Sequence, residues 1–197
     1  MVTTAQEEGS MAKLIYTAIT SLDGYIEDRN GNFDWAMPDE EVHGYVNNLE
    51  RGNGTFLLGR RMYQTMAVWE EIHVQSGHPE VMRDYAAIWH GGDKVVYSGT
   101  LDHATTERTR IERVFDPENV RRMKADSATD LSVGGAQLAG VALRAGLVDE
   151  IHLLISPVLV GGGKPALPEI DATRLELLGQ RGFGNGVVHL HYAVRNS

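Results

Sequence analysis

Three short turns carry the residues best suited to hold a phosphorylated ligand: Gly59-Arg60-Arg61, Ser98-Gly99-Thr100 and Gly134-Gly135-Ala136. Each follows a short apolar run that reads as a strand. Glycine lets the backbone approach a ligand, and the amino-terminus of a following helix points N–H groups at anions. At the carboxyl edge of an open parallel sheet, such turns would meet around one ligand. Arg60 and Arg61 sharpen the first turn, because a cation at a helix amino-terminus opposes the macrodipole unless an anion is also there. Projection into solvent, or pairing with a nearby carboxylate, is the plain alternative for either arginine. Singly the turns are ordinary strand ends; together they point to a ligand with several anionic groups.

A second constellation opens the helix after Pro38, where Asp39, Glu40, Glu41 and His43 follow one another closely. At 100° per residue, Asp39 and His43 fall on one border of an apolar face made by Val42, Tyr45, Val46 and Leu49, Glu41 lies near the other border, and Glu40 points away. A border carboxylate or imidazole can line a cleft and move a proton. The alternative is structural, since acidic residues suit any first helical turn.

Other chemistries lose support. His189 and His191 share one strand face, but no third ligand stands at a familiar spacing and there is no HExxH, so they read as solvent-facing histidines and no metal is expected. Cysteine is absent, which removes thiol nucleophiles, thiolate-bound metals and disulfides. No GxSxG elbow is present. Gly163-Lys164 is followed by Pro165 where a P-loop needs Ser or Thr, and Gly182, Gly184 and Gly186 form no GxGxxG.

The elements that must position these residues alternate along the chain. Strands are expected at Leu14–Thr20, Thr55–Leu58, Lys94–Tyr97, Thr109–Val114, Leu131–Val133 and Val148–Val160. Helices are expected from Pro38, from Gly59 to Met66, and at Pro79–Trp89, Pro117–Ala125 and Ala136–Ala145. A closing hairpin forms around Gly182–Gly186. This alternation implies a mostly parallel sheet covered on both faces, with an antiparallel edge. The 197 residues carry 18 cationic and 27 acidic side chains, a formal charge of −9, which disfavours nucleic acid and anionic membrane as partners. No apolar stretch approaches a membrane span. Residues 1–10 read as a flexible extension or an expression remnant ahead of one domain spanning 11–197.

Four ordered segments resemble the dihydrofolate reductase-like superfamily, in the branch related to the carboxyl-terminal reductase domain of bacterial riboflavin biosynthesis. They are Ser21-Leu22-Asp23-Gly24-Tyr25-Ile26, Leu58 to Tyr63, Lys94 to Leu101, and Gly134 to Leu138 continuing through Leu147–Glu150 to Pro157-Val158-Leu159. The resemblance spans about residues 13–195. It implies a three-layer α/β/α fold with a mixed, mostly parallel sheet and a C-terminal antiparallel hairpin. It also implies NADPH along the carboxyl ends of the strands. Gly59, Arg60 and Arg61 would then grip phosphate, and Ser98 and Thr100 would hold the adenosine 2′-phosphate. Gly134, Gly135, Ala136, Gln137 and Leu138 would approach the pyrophosphate and nicotinamide. Thr17 and Ala18 would face the nicotinamide, Asp23 and Gly24 would belong to a covering loop, and Trp35, Asp39 and His43 would form the substrate side. Two positions depart from the pattern: Met62 replaces a common threonine and Gly99 a common arginine, which leaves NADH open beside NADPH.

The expectation is a stand-alone cytoplasmic reductase. It would transfer hydride from NADPH to a small pterin-like or ribosylaminopyrimidine-like substrate, with a proton from Asp39, His43 or ordered water. A noncatalytic nucleotide- or flavin-binding protein of the same fold is the alternative. No deaminase portion precedes the domain, so a bifunctional enzyme is not expected. A homodimer is expected, with the apolar Ile151–Val160 run either packing across it or buried as a central strand.

Overall fold

The apolar run Leu14–Ser21 forms strand β1 in the middle of the sheet, and the rest of the chain is laid on either side of it. The computed structural model describes residues 11–195, so the expected extension at 1–10 lies outside the described residues. After β1 come β2 (Tyr25–Asp28), a 3-10 turn (Asp34–Ala36), α1 (Glu40–Glu50), β3 (Asn53–Gly59), α2 (Arg60–Met66), α3 (Val68–Val74) and α4 (Glu80–Gly91). The chain continues through β4 (Asp93–Tyr97), β5 (Thr109–Glu112), α5 (Pro117–Asp126), β6 (Asp130–Gly134) and α6 (Ala136–Arg144). It ends with β7 (Glu150–Ser156), β8 (Gly163–Pro165), β9 (Arg174–Gly182) and β10 (Val188–Arg195).

Eight strands form one sheet in the order β5-β4-β3-β6-β1-β7-β10-β9. The six from β5 to β7 are parallel, β10 runs antiparallel to β7, and β9 antiparallel to β10. Alternation along each strand feeds two cores. Leu57, Val133 and Tyr16 face Val120 of α5 and Ala139 and Ala142 of α6. On the other face, Phe56, Leu58 and Val96 meet Tyr63 of α2 and Tyr85 and Trp89 of α4, while Val42 of α1 packs on Leu154, Phe183 and Val187. The result is the α/β/α layering and C-terminal antiparallel hairpin implied above. No helix among the described residues is long and apolar enough to cross a membrane.

Four features differ from the sequence reading, the first being α3, which lies in a stretch where no helix is expected. The strand expected over Val148–Val160 stops at Ser156, because Pro157 has no N–H to continue a ladder. The segment after Gly24, read as loop, forms β2, which pairs with β8 in a separate two-stranded ribbon. His189 and His191 do not face solvent. Both lie on the α1-covered face of β10, which β9 flanks on its outer side; His189 is buried and His191 half-buried. The Tyr45 hydroxyl sits 3.0 Å from His189 Nδ1. Burial, reinforced by the neighbouring imidazoles, lowers His152 to about 4, and burial with the charge of His191 does the same for His189.

The start of β1 is held by one carboxylate. Asp149 accepts from Leu14 N at 2.6 Å and pairs with Lys124 Nζ at 2.6 Å, while Lys124 also donates to Leu147 O. Lys124 is 6% exposed, so losing its counter-charge leaves a buried ammonium with a carbonyl alone. Asp149→Asn is therefore expected to lower stability by about 2–3 kcal/mol, discounted from a fully buried pair because Asp149 is partly solvated. Urea unfolding monitored by circular dichroism measures it.

Candidate active site

Parallel pairing brings the three glycine turns side by side. Leu58 is opposite Gly134 and Gly59 opposite Tyr97 in the ladders joining β3 to β6 and β4. Gly135 caps α6 with φ +93°, and a Cβ there would lie 3.3 Å from the Met62 Cβ. No side chain caps α6, so the amides of Ala136, Gln137 and Leu138 face the edge without a side-chain acceptor. In the middle turn, Ser98 Oγ accepts from Thr100 N and Leu101 N at 3.2 and 2.9 Å. Arg113 Nη1 braces the same turn by donating to Ser98 O and Leu101 O. Arg60 Nη1 crosses from the first turn to donate to Thr100 Oγ1 at 2.9 Å.

A groove of about 760 Å³ runs beside the first and third of these turns, between the β2–β8 ribbon and the starts of α2 and α6. Its walls include Arg29, Arg61, Gln137 and Lys164, with Glu27 and Asp28 as the acidic counterweight. The ribbon is firmly tied. The Asp23 carboxylate accepts from Val160 N and Gly161 N, and Arg29 Nη2 donates to Gly161 O at 2.8 Å. The Ser21 hydroxyl, with these amides, holds Asp23 below the usual carboxylate range. Gly24 turns the chain with its amide on Ser21 O. Gly163 has φ +146°, and a Cβ there would fall 2.0 Å from Glu27 O. Gly163-Lys164-Pro165 fails as a P-loop, and the glycine triplet before Lys164 is the sequence signal of this close backbone approach. Nothing in the sequence marks Arg113, whose partners come from a turn twelve to fifteen residues earlier.

A smaller cleft of about 210 Å³ opens near the ends of β1 and β7, lined by residues including Ile19, Trp35, Met37, Val42, Ser156 and Val187. Trp35 lines this cleft, and its indole Nε1 is buried with no hydrogen-bond partner among the described residues. Asp39 is the N-cap of α1, its Oδ1 accepting from Val42 N at 2.9 Å. It flanks the cleft through Pro38 and does not line it. His43 turns its ring onto Trp69 and Tyr85, with centroids 5.6 and 5.9 Å away, and burial lowers its pKa. Thr17 and Ala18 occupy opposite faces of β1, Ala18 joining the core beneath α6.

Behind Thr17 lies Glu50, buried at the end of α1 and accepting from Asn53 Nδ2 at 2.9 Å. Burial raises its pKa, and the Asn53 amide, with the nearby hydroxyls of Thr17 and Ser132, only partly opposes that. The folded protein thus binds this proton more tightly than the unfolded chain, so the contribution is present in full below the ordinary glutamate range and is lost as pH rises through the folded pKa. Glu50→Gln is expected to flatten this decline and to make the protein more stable than wild type at neutral pH, as read from urea midpoints across a pH series.

The family model of the RibD C-terminal domain matches residues 12–189. The uncharacterized protein YyaP of Bacillus subtilis is 29% identical over 183 residues, covering 91% of this chain and 94% of its own. RibD of Acinetobacter baumannii superposes with a TM-score of 0.68 at 16% identity, over 94% of this chain and 58% of that one. Dihydrofolate reductase of Enterococcus faecalis, solved with NADP(H), superposes with a TM-score of 0.64 at 14% identity, over 93% and 97% of the two chains. The fold is dihydrofolate reductase-like.

Proposed function

The chain belongs to the RibD C-terminal domain family, and on that premise we propose that it is a reductase passing hydride from NADPH to a small pyrimidine- or pterin-like heterocycle. The observation that carries this reading is the convergence of the three turns on one sheet edge, above a groove furnished with Arg29, Arg61 and Lys164. The groove suits a long anionic cofactor: it is open and cationic on several sides, and the α6 amides lack a capping side chain. When bound, the cofactor supplies the hydride.

The chain's own residues orient and neutralise. Arg60, held beside Thr100, brings to the 2′-phosphate the cation that Gly99 lacks. Ser98 spends its oxygen shaping the turn, and Arg113 stiffens it. Arg61 and the amides from Ala136 to Leu138 address the pyrophosphate, with Gly59, Gly134 and Gly135 allowing close approach. The main chain at Thr17 and Ala18 stands beside the nicotinamide, and Asp23 and Gly24 hold the ribbon that covers it. In the cleft, Trp35 Nε1 donates to a carbonyl or ring nitrogen of the substrate. Asp39, exposed next to Pro38, is the nearer proton source, directly or through a water; His43 shapes the helix surface behind it.

The test is calorimetry of the full chain with NADPH and NADH, followed by loss of reduced-nicotinamide absorbance with a panel of pyrimidines, pterins and flavins. Turnover with one class supports the reading, and tight binding without oxidation of any member overturns it in favour of a noncatalytic nucleotide-binding protein. Arg60→Ala is expected to weaken NADPH about tenfold and leave NADH nearly unchanged, the loss of one charge-assisted contact. Asp39→Asn is expected to lower kcat about 100-fold with an unchanged melting temperature, because asparagine caps a helix as well as aspartate does.

A further inference from the structure

At the opposite end of the β7 and β10 pair from the cleft, four polar side chains crowd one sheet face. Glu150 and His152 are two apart on β7 and therefore point the same way. His191 is directly opposite His152 on β10, and His189 is opposite Leu154. Glu150 Oε2 is 2.8 Å from His191 Nε2 and 3.8 Å from His152 Nε2, and the three donor atoms all lie within 4.8 Å of one another. The rings of His152 and His191 stack with centroids 4.0 Å apart.

We propose that Glu150, His152 and His191 form a binding site for one divalent transition-metal ion of the zinc class. The set is two imidazoles and one carboxylate, the borderline donors such ions select. Metal–ligand bonds of about 2.0–2.1 Å in a tetrahedron place donor atoms about 3.3 Å apart, a spacing that the 2.8 and 3.8 Å separations bracket. Small ring rotations that break the stacking bring both Nε2 lone pairs onto the ion.

The surroundings have the form of a supporting shell. Lys13 Nζ holds Glu150 Oε1 at 2.6 Å, while Oε2 accepts from His191 Nε2 at 2.8 Å, a hydrogen bond that the ion would replace. His152 Nδ1 is 2.9 Å from His189 Nε2, and His189 Nδ1 is 3.0 Å from the Tyr45 hydroxyl. Ligating histidines characteristically use their second nitrogen in this way. When His152 Nδ1–H donates to His189, and His189 Nδ1–H to the Tyr45 oxygen, His152 Nε2 turns a lone pair toward the Glu150 carboxylate. In that tautomer His152 Nε2 can take an ion without losing a proton. His191 then carries its proton on Nδ1. Three protein ligands leave a fourth position for water on the side of His191, whose side chain is 24% exposed while Glu150 and His152 are 11% and 7%.

A second cluster, Glu70, His90 and Glu107, is a weaker candidate, because its two carboxylates address different nitrogens of the same ring. It serves as the control. The experiment titrates ZnCl₂ into tag-free, chelator-treated full-length protein by calorimetry, with Co²⁺ absorption reporting coordination number. The expected result is one ion per chain at micromolar affinity or tighter, tetrahedral Co²⁺ bands, and a zinc-dependent rise in melting temperature. His191→Ala and Glu150→Gln should each weaken binding about 100-fold or more, and His90→Ala should not. Because His191 is partly exposed, its alanine variant should keep the wild-type circular dichroism and NADPH affinity, and Glu150→Gln preserves side-chain shape. Millimolar binding only, binding that survives both variants, or binding lost in His90→Ala overturns the site. The NADPH titration is read separately, so failure here leaves the reductase reading intact.

Discussion

Parallel pairing is the constraint from which the rest of the molecule follows. Parallel neighbours need crossover connections, and each crossover must lie on one face of the sheet or the other. After β1 the chain crosses by α1 to β3, leaving a slot that β6 later fills, and then crosses by α6 to β7 on the far side of β1. The first crossover runs on the α1 face and the second on the opposite face. The connections therefore part company above β1 and β6, and a crevice opens there at the carboxyl edge. The turns after β3, β4 and β6 have no other place to go than the rim of that crevice.

The face under α1 differs from the face under α5 and α6 in kind. The latter is a mostly apolar core, with Tyr16 donating to Ala166 O and Lys124 paired with Asp149 at its margin. Under α1, polar groups form two patches: Glu50 with Asn53 near Thr17 and Ser132, and the row from Lys13 through Glu150 and the histidines to Tyr45. Asn47, buried in α1, adds bonds to Val81 O and Asp84. Such groups stabilise little in net terms, but each has directional partners that a slipped helix would lose. α1 carries Val42 to the cleft wall and Asp39 to its rim, so the polar row under one end of the helix helps aim the other end.

Local signals made much of this legible from the sequence. Leu14–Thr20 and Lys94–Tyr97 are dense in apolar and β-branched residues and end in glycine or serine, and the turns at Gly59, Ser98 and Gly134 mark strand ends by their backbone demands. Parallel order then follows from the helices between them. What escaped depends on distant partners. β2 is a half-buried four-residue strand recognisable only through β8, more than 130 residues later. The alternation of His189 and His191 located them on one face of β10, yet which face α1 would cover is decided by the crossover. Arg113 reads as an ordinary surface arginine until its turn is folded against it. Asp39 reads as a proton carrier or as one of the acidic residues that suit a first helical turn, and the structure makes it the N-cap of α1.

Gly163 and Gly99 mark the two extremes of what this scaffold allows to change over generations. A methyl group at 163 would collide with a main-chain oxygen that has nowhere to retreat without unzipping the ribbon that presents Arg29 and Lys164. At 99 nothing among the described residues lies within 4 Å of where a side chain would begin. One wall of the groove is therefore closed to drift, while the turn after β4 is an open door: a side chain can begin there without a collision.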